Sequence, residues 1–202
     1  MKLMMLVSEA ELDGLKAEGL DVLVDSLWLS GMSSAEITHW QSMAEHLVNE
    51  FACDVIVELP DADARSLSEL ADAICKWQPK LIPQFPINKD GLLTCKNFSS
   101  AGSKTAIAVS EMGQIAISLK ALPTLLRLPI SVTCGTTKGG FVELVQILSS
   151  VIQSIKHVRE REHVPHIVLE VGSKEELNIA TVVSPDGLLL PLCLFRDMVG
   201  GL

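Results

Sequence analysis

Tyrosine is absent from this chain of 202 residues, and aromatic residues make up only 4% of it. Its 48% hydrophobic content is therefore mostly Leu, Val, Ile and Ala, which suits strands buried on both faces and packed by helices. Positive charge is also scarce, with 16 Lys and Arg against 25 Asp and Glu and a net charge of −9. Such a chain repels phosphate backbones and anionic lipid surfaces, so neither nucleic acid nor membrane is an expected partner. The deficit is local. Residues 1–101 carry 7 basic and 16 acidic side chains, whereas residues 102–202 carry nine of each.

Cysteine pairs are missing too. Cys53, Cys75, Cys95, Cys134 and Cys193 are odd in number and include no C-x-x-C, which reads as reduced thiols in a cytoplasmic setting. The N-terminal MKLMMLVSEAELDG turns acidic after a five-residue apolar run and does not read as a secretory signal. The longest apolar run, Leu188–Phe195, is too short to span a membrane and contains Pro191. The length suits one α/β domain over 1–202 that needs neither disulfides nor metal for its stability.

The first ninety residues read as β-α-β-α-β. Apolar runs at Val22–Leu29 and Asp54–Leu59 suit buried strands. Ser33 with Glu36 and Ser66 with Glu69 suggest helix caps. Trp40, Ala44, Leu47, Val48 and Phe51 share one helical face, as do Leu67, Leu70, Ala71, Ile74 and Trp77. Leu81–Ile87 reads as a third extended segment, which Pro83 and Pro86 push toward a sheet edge or an irregular path. Residues 88–104, rich in Gly, Ser, Asn and Lys, suggest a mobile loop or subdomain boundary. Thr105–Ser110 and Gln114–Leu119 suggest an antiparallel pair, followed by a short helix between Pro123 and Pro129. A strand at Ile130–Cys134 then leads through a glycine loop into a long helix beginning at Phe141. Another strand, Ile167–Val171, precedes a hairpin of Leu177–Val183 and Leu188–Phe195.

The fold expected is a three-layer α/β domain with a mainly parallel sheet flanked by helices and antiparallel hairpin strands added at 105–119 and 177–195. A partial or distorted barrel is the alternative.

The feature best suited to chemistry is Gly135-Thr136-Thr137-Lys138-Gly139-Gly140. A glycine loop at a helix start offers free amides and the positive end of the helix dipole, to which two hydroxyls and an ammonium are added here. It could hold a phosphate or carboxylate, although it is neither a P-loop nor a dinucleotide fingerprint. Cys134 beside it is a candidate nucleophile, against the ordinary role of a small buried residue. Asp25, Glu58 and Glu170 each follow an apolar run. Converging at strand ends, they could serve as a general base or hold Mg²⁺, with Asp25 and Glu58 the weak catalytic candidates and Glu58 the one that looks terminal. The five histidines show no zinc spacing, so no metal is expected and no cofactor is indicated. The first reading is thus a binding protein or enzyme for an anionic small molecule. The alternative is a non-catalytic assembly or adaptor protein that acts through its apolar C-terminal strand, as a homo-oligomer or with a protein partner.

Overall fold

The computed structural model describes residues 1–8, 11, 24–30, 37–133, 140–159 and 165–199. Among them, strands β1 (Lys2–Ser8), β2 (Ser26–Ser30), β3 (Asp54–Glu58), β4 (Leu81–Phe85), β5 (Ala106–Ala108), β6 (Leu125–Pro129), β7 (His166–Glu170) and β8 (Gly187–Pro191) alternate with helices. The helices are α1 (Ile37–Phe51), α2 (Ala64–Trp77), α3 (Lys89–Ser100), α4 (Ile115–Lys120), α5 (Ile130–Thr133), α6 (Phe141–Arg159), α7 (Lys174–Val183) and α8 (Leu192–Val199). Each strand pairs in parallel with the next, and β8 pairs in parallel with β1. The sheet therefore closes on itself, giving an α/β barrel of the TIM type. The parallel, helix-flanked sheet expected from the sequence is present, but it closes completely, beyond the partial or distorted barrel held as the alternative.

Strand side chains alternate between two packed regions, as a period of two requires. One face of every strand supplies an apolar residue to the barrel interior: Met4, Trp28, Ile56, Ile82, Ala106, Leu125, Val168 and Leu189. The residues between them, such as Leu27, Val55, Leu126 and Leu169, face outward into the core beneath the helices. Because both faces are buried, the strands read as continuous apolar runs.

Several local expectations are corrected. Residues 105–119 and 177–195 are not antiparallel hairpins. Ile115–Lys120 is α4, entered through a 3-10 turn at Met112–Gln114. Its alternating Ile115, Ile117 and Leu119 fit a strand, but Ile117 is exposed while Ile115 and Ser118, three apart, are buried. Leu177–Val183 belongs to α7, whose start is capped by the Ser173 hydroxyl accepting from the Glu176 amide at 3.1 Å. Leu188–Phe195 divides at Pro191, with β8 before it and α8 after it. The strand expected at Ile130–Cys134 lies earlier, at β6, and Ile130–Thr133 is a single helical turn. Pro123 and Pro129 bracket a strand there, where a helix was expected.

Residues 88–104 are no loop over most of their length, since Lys89–Ser100 forms α3. The Asn88 side chain caps it, accepting from the Gly91 amide at 2.7 Å. Gly91 serves close packing: a Cβ there would lie 2.0 Å from the Pro86 carbonyl oxygen. The cap of α2 is Asp63, not Ser66; its carboxylate accepts from the amides of Arg65 and Ser66 at 2.9 and 3.0 Å. Pro83 does not mark an edge, because β4 lies between β3 and β5. Its ring nitrogen faces β5, where pairing begins only at Gln84, so the missing donor costs no ladder bond.

Candidate functional site

The inward face changes character at the C-terminal end of the strands. Two residues beyond the apolar interior positions of β3, β4, β6 and β7 stand Glu58, Gln84, Arg127 and Glu170. Strand periodicity turns these four side chains the same way as the core residues beneath them, into the barrel mouth. They line one depression of about 370 Å³, together with Ser110 and the backbone after β4. A second depression, of about 670 Å³, adjoins it and is lined by Ser30, Asp61 and Asn88, with Glu58 common to both. This end of the barrel, built from the loops that follow the strands, is where such folds carry their chemistry.

The mouth is held by a chain of polar contacts. Arg127 donates from Nε to Glu170 Oε2 at 2.9 Å and from Nη2 to Glu170 Oε1 at 2.8 Å. The pair is largely enclosed, with side-chain exposures of 12% and 22%. The Arg127 guanidinium also lies 5.5 Å from the centre of the Trp28 ring, over its face. The Trp28 indole N–H donates to Gln84 Oε1, which fixes the orientation of that amide. Strands β2, β4, β6 and β7 are thus tied across the mouth. Glu58 makes no side-chain hydrogen bond or ion pair among the described residues. Asp61 accepts from the Asn88 amide at the rim of the second depression.

The sequence candidates are distributed unevenly. Glu58 stands at the end of β3, in the mouth, as expected. Asp25 does not join it: it precedes β2 at the opposite end of the barrel and accepts from the Leu3 amide at 2.7 Å. The apolar run around Asp25 therefore straddles a strand start. Glu170 does end its strand and lines the same depression as Glu58, although the run around it looked longer. A site shared by all three carboxylates is excluded by the position of Asp25. Among the described residues, no cluster of three His, Cys, Asp or Glu side chains is placed to hold a metal ion. Cys134, Gly135, Thr136, Thr137, Lys138 and Gly139 lie outside the described residues. Gly140 is exposed, and its carbonyl accepts from the amides of Glu143 and Leu144, so it opens α6. Gln84 and Arg127 were missed, although each signals itself as a polar residue in an otherwise apolar strand, LIPQF and LLRLP.

The apolar C-terminal segment is covered within the chain. β8 pairs with β7 on one side and β1 on the other, so it has no free edge for a partner. Among the described residues, no helix is long and apolar enough to cross a membrane.

No family model and no curated protein matches this sequence. Its fold is similar to that of the thiamine phosphate pyrophosphorylase from Pyrococcus furiosus, with a TM-score of 0.59 and 12% identity over 94% of this chain and 85% of that one. The likeness is one of fold. It agrees with the closed parallel barrel and assigns no residue a role.

Proposed function

We propose that the chain binds a small phosphorylated or carboxylated molecule at the C-terminal mouth of the barrel. The observation that carries this reading is the convergence of Glu58, Gln84, Arg127 and Glu170 on one depression. Gly135–Gly140 would hold the anion at the start of α6, where free amides and the helix dipole favour negative charge. Glu58, a carboxylate with no side-chain hydrogen bond or ion pair among the described residues, would act as the acid or base toward the body of the ligand. A phosphate-bearing ligand is in keeping with the name of the similar barrel, a thiamine phosphate pyrophosphorylase. The free state of Cys53, Cys75, Cys95 and Cys193 supports a cytoplasmic setting.

The test is calorimetric titration with inorganic phosphate. Wild-type protein is expected to bind it, and Lys138→Ala to bind it about tenfold more weakly, as loss of one charged hydrogen-bond donor implies. Absence of any anion binding, with no difference in Lys138→Ala, would sink the reading. Self-association is a second proposal, favoured by Phe141 and Val142, exposed side by side at 49% and 67%. Sedimentation would settle it, a strictly monomeric protein counting against it.

A further inference from the structure

Gln84 is only 3% exposed, yet it is an unusual residue to bury at the edge of a cavity. Its carbonyl oxygen is taken by the Trp28 indole N–H. Its amide nitrogen, Nε2, makes no hydrogen bond to the described protein. No buried side-chain nitrogen or oxygen among the described residues is left unsatisfied. Nε2 therefore lies in the small part of Gln84 that is not sealed, and the space it meets is the depression that Gln84 lines. Nε2 is thus a donor open to that space, with its direction set by the bond at Oε1.

Arg127 lines the same depression and is arranged similarly. Glu170 occupies Nε and Nη2, which leaves Nη1 outside the bidentate pair. The bidentate pair sets the guanidinium plane, and its Cζ lies over the Trp28 ring. Two donors whose orientations are set by other side chains thus border one cavity, tied together through the Trp28 ring.

We infer that Gln84 Nε2 and Arg127 Nη1 form a donor pair for a carbonyl or carboxylate oxygen of the ligand. The inference rests on the mouth of the barrel being the ligand site, and it adds the group that sits there. The preferred ligand then carries an sp² oxygen as well as the anion assigned to Gly135–Gly140. In this arrangement Glu170 and Trp28 are positioning residues, since they hold Arg127 and Gln84 without touching the ligand.

The smallest probe bearing both groups is 2-phosphoglycolate, to be compared with inorganic phosphate and with glycolate by calorimetry. The informative variant is Gln84→Glu. It is nearly isosteric and retains an acceptor for the Trp28 N–H, but it replaces the Nε2 donor with an acceptor. Wild-type protein should bind 2-phosphoglycolate at least tenfold more tightly than phosphate, and Gln84→Glu should remove that preference while leaving phosphate affinity within about twofold. The ¹⁵N side-chain amide signal of Gln84 in the wild-type protein should shift with 2-phosphoglycolate and not with phosphate, a readout independent of any variant's folding. Phosphate binding with no added preference for 2-phosphoglycolate, or with an unmoved Gln84 signal, overturns the donor pair and leaves the anion site intact. Glycolate binding that shifts the Gln84 signal, without phosphate binding, upholds the pair and overturns the anion site. No binding of any probe overturns both.

Discussion

Replacing Arg127 with methionine removes one partner of an enclosed ion pair and strands the other. The two N–H···O contacts, at 2.9 and 2.8 Å, are lost, and Glu170 is left charged in a mouth where its side chain is only 22% exposed. A surface pair would cost less than about 1 kcal/mol to break. Full burial would raise that to about 3–5 kcal/mol. With exposures of 12% and 22%, a loss of about 2–3 kcal/mol is expected, part of it from the cation–π contact with Trp28. In a chain of this length that corresponds to a fall in Tm of roughly 5–10 °C. Glu170→Met should cost a similar amount. The double variant replaces both charges with apolar groups of comparable size, so it should lose less than the sum of the singles by at least about 1.5 kcal/mol. Urea unfolding of the four proteins closes the cycle. Additive losses, or singles that cost only a few tenths of a kcal/mol, would show that the pair behaves as a solvated surface contact and that the mouth is not held as described.

Gly91→Ala should destabilise the barrel by about 1–3 kcal/mol, because the new methyl group meets the Pro86 carbonyl and the backbone has to move; thermal unfolding measures it, and an unchanged Tm would mean that α3 is not seated on Pro86. The Asp63 carboxyl is held below its usual range by the Ser66 amide and hydroxyl and by the Arg65 amide. Its contribution to stability is therefore present above the unfolded value of 3.8 and lost as pH falls through the lower folded value. Asp63→Asn should make urea stability fall less steeply below about pH 4, whereas an identical acid slope would remove Asp63 from the account.

The repeating unit of the fold was legible because each strand is buried on both faces. DVIVE and HIVLE announce themselves as short apolar runs, and β3 begins at Asp54 as expected and ends one residue before Leu59. LMMLV is as apolar, but β1 was not read as a strand. Helices α1, α2 and α6 are long enough for a 3.6-residue period to emerge. The errors fall where few residues must decide between periods. Ile115–Lys120 is six residues long and satisfies either pattern locally. The stretch containing Gly91 was misread because a glycine needed for close approach resembles one needed for flexibility, and the difference lies in the Pro86 carbonyl, five residues earlier, which the fold brings against it. Closure of the sheet also escaped the sequence, since pairing of β8 with β1 joins the two ends of the chain.

The site was partly legible. Glu58 is followed by Leu59-Pro60, which marks a strand end, so its place in the mouth could be anticipated. Asp25 sits in an equally apolar run, but that strand starts after it, and a shift of a few residues moves a side chain from the mouth to the base. Gln84 and Arg127 are single polar residues in apolar strands. Their significance appears only once the barrel closes and brings both to one depression, each two residues beyond an interior position of its own strand.

The most direct test of ligand binding at the mouth is to soak crystals of the protein with 2-phosphoglycolate. The phosphate is expected at Gly135–Gly140 and the carboxylate against Gln84 and Arg127, beside Glu58. A ligand bound instead at the N-terminal end of the barrel, near Asp25 and His166, or a mouth that stays empty at saturating ligand, would contradict it.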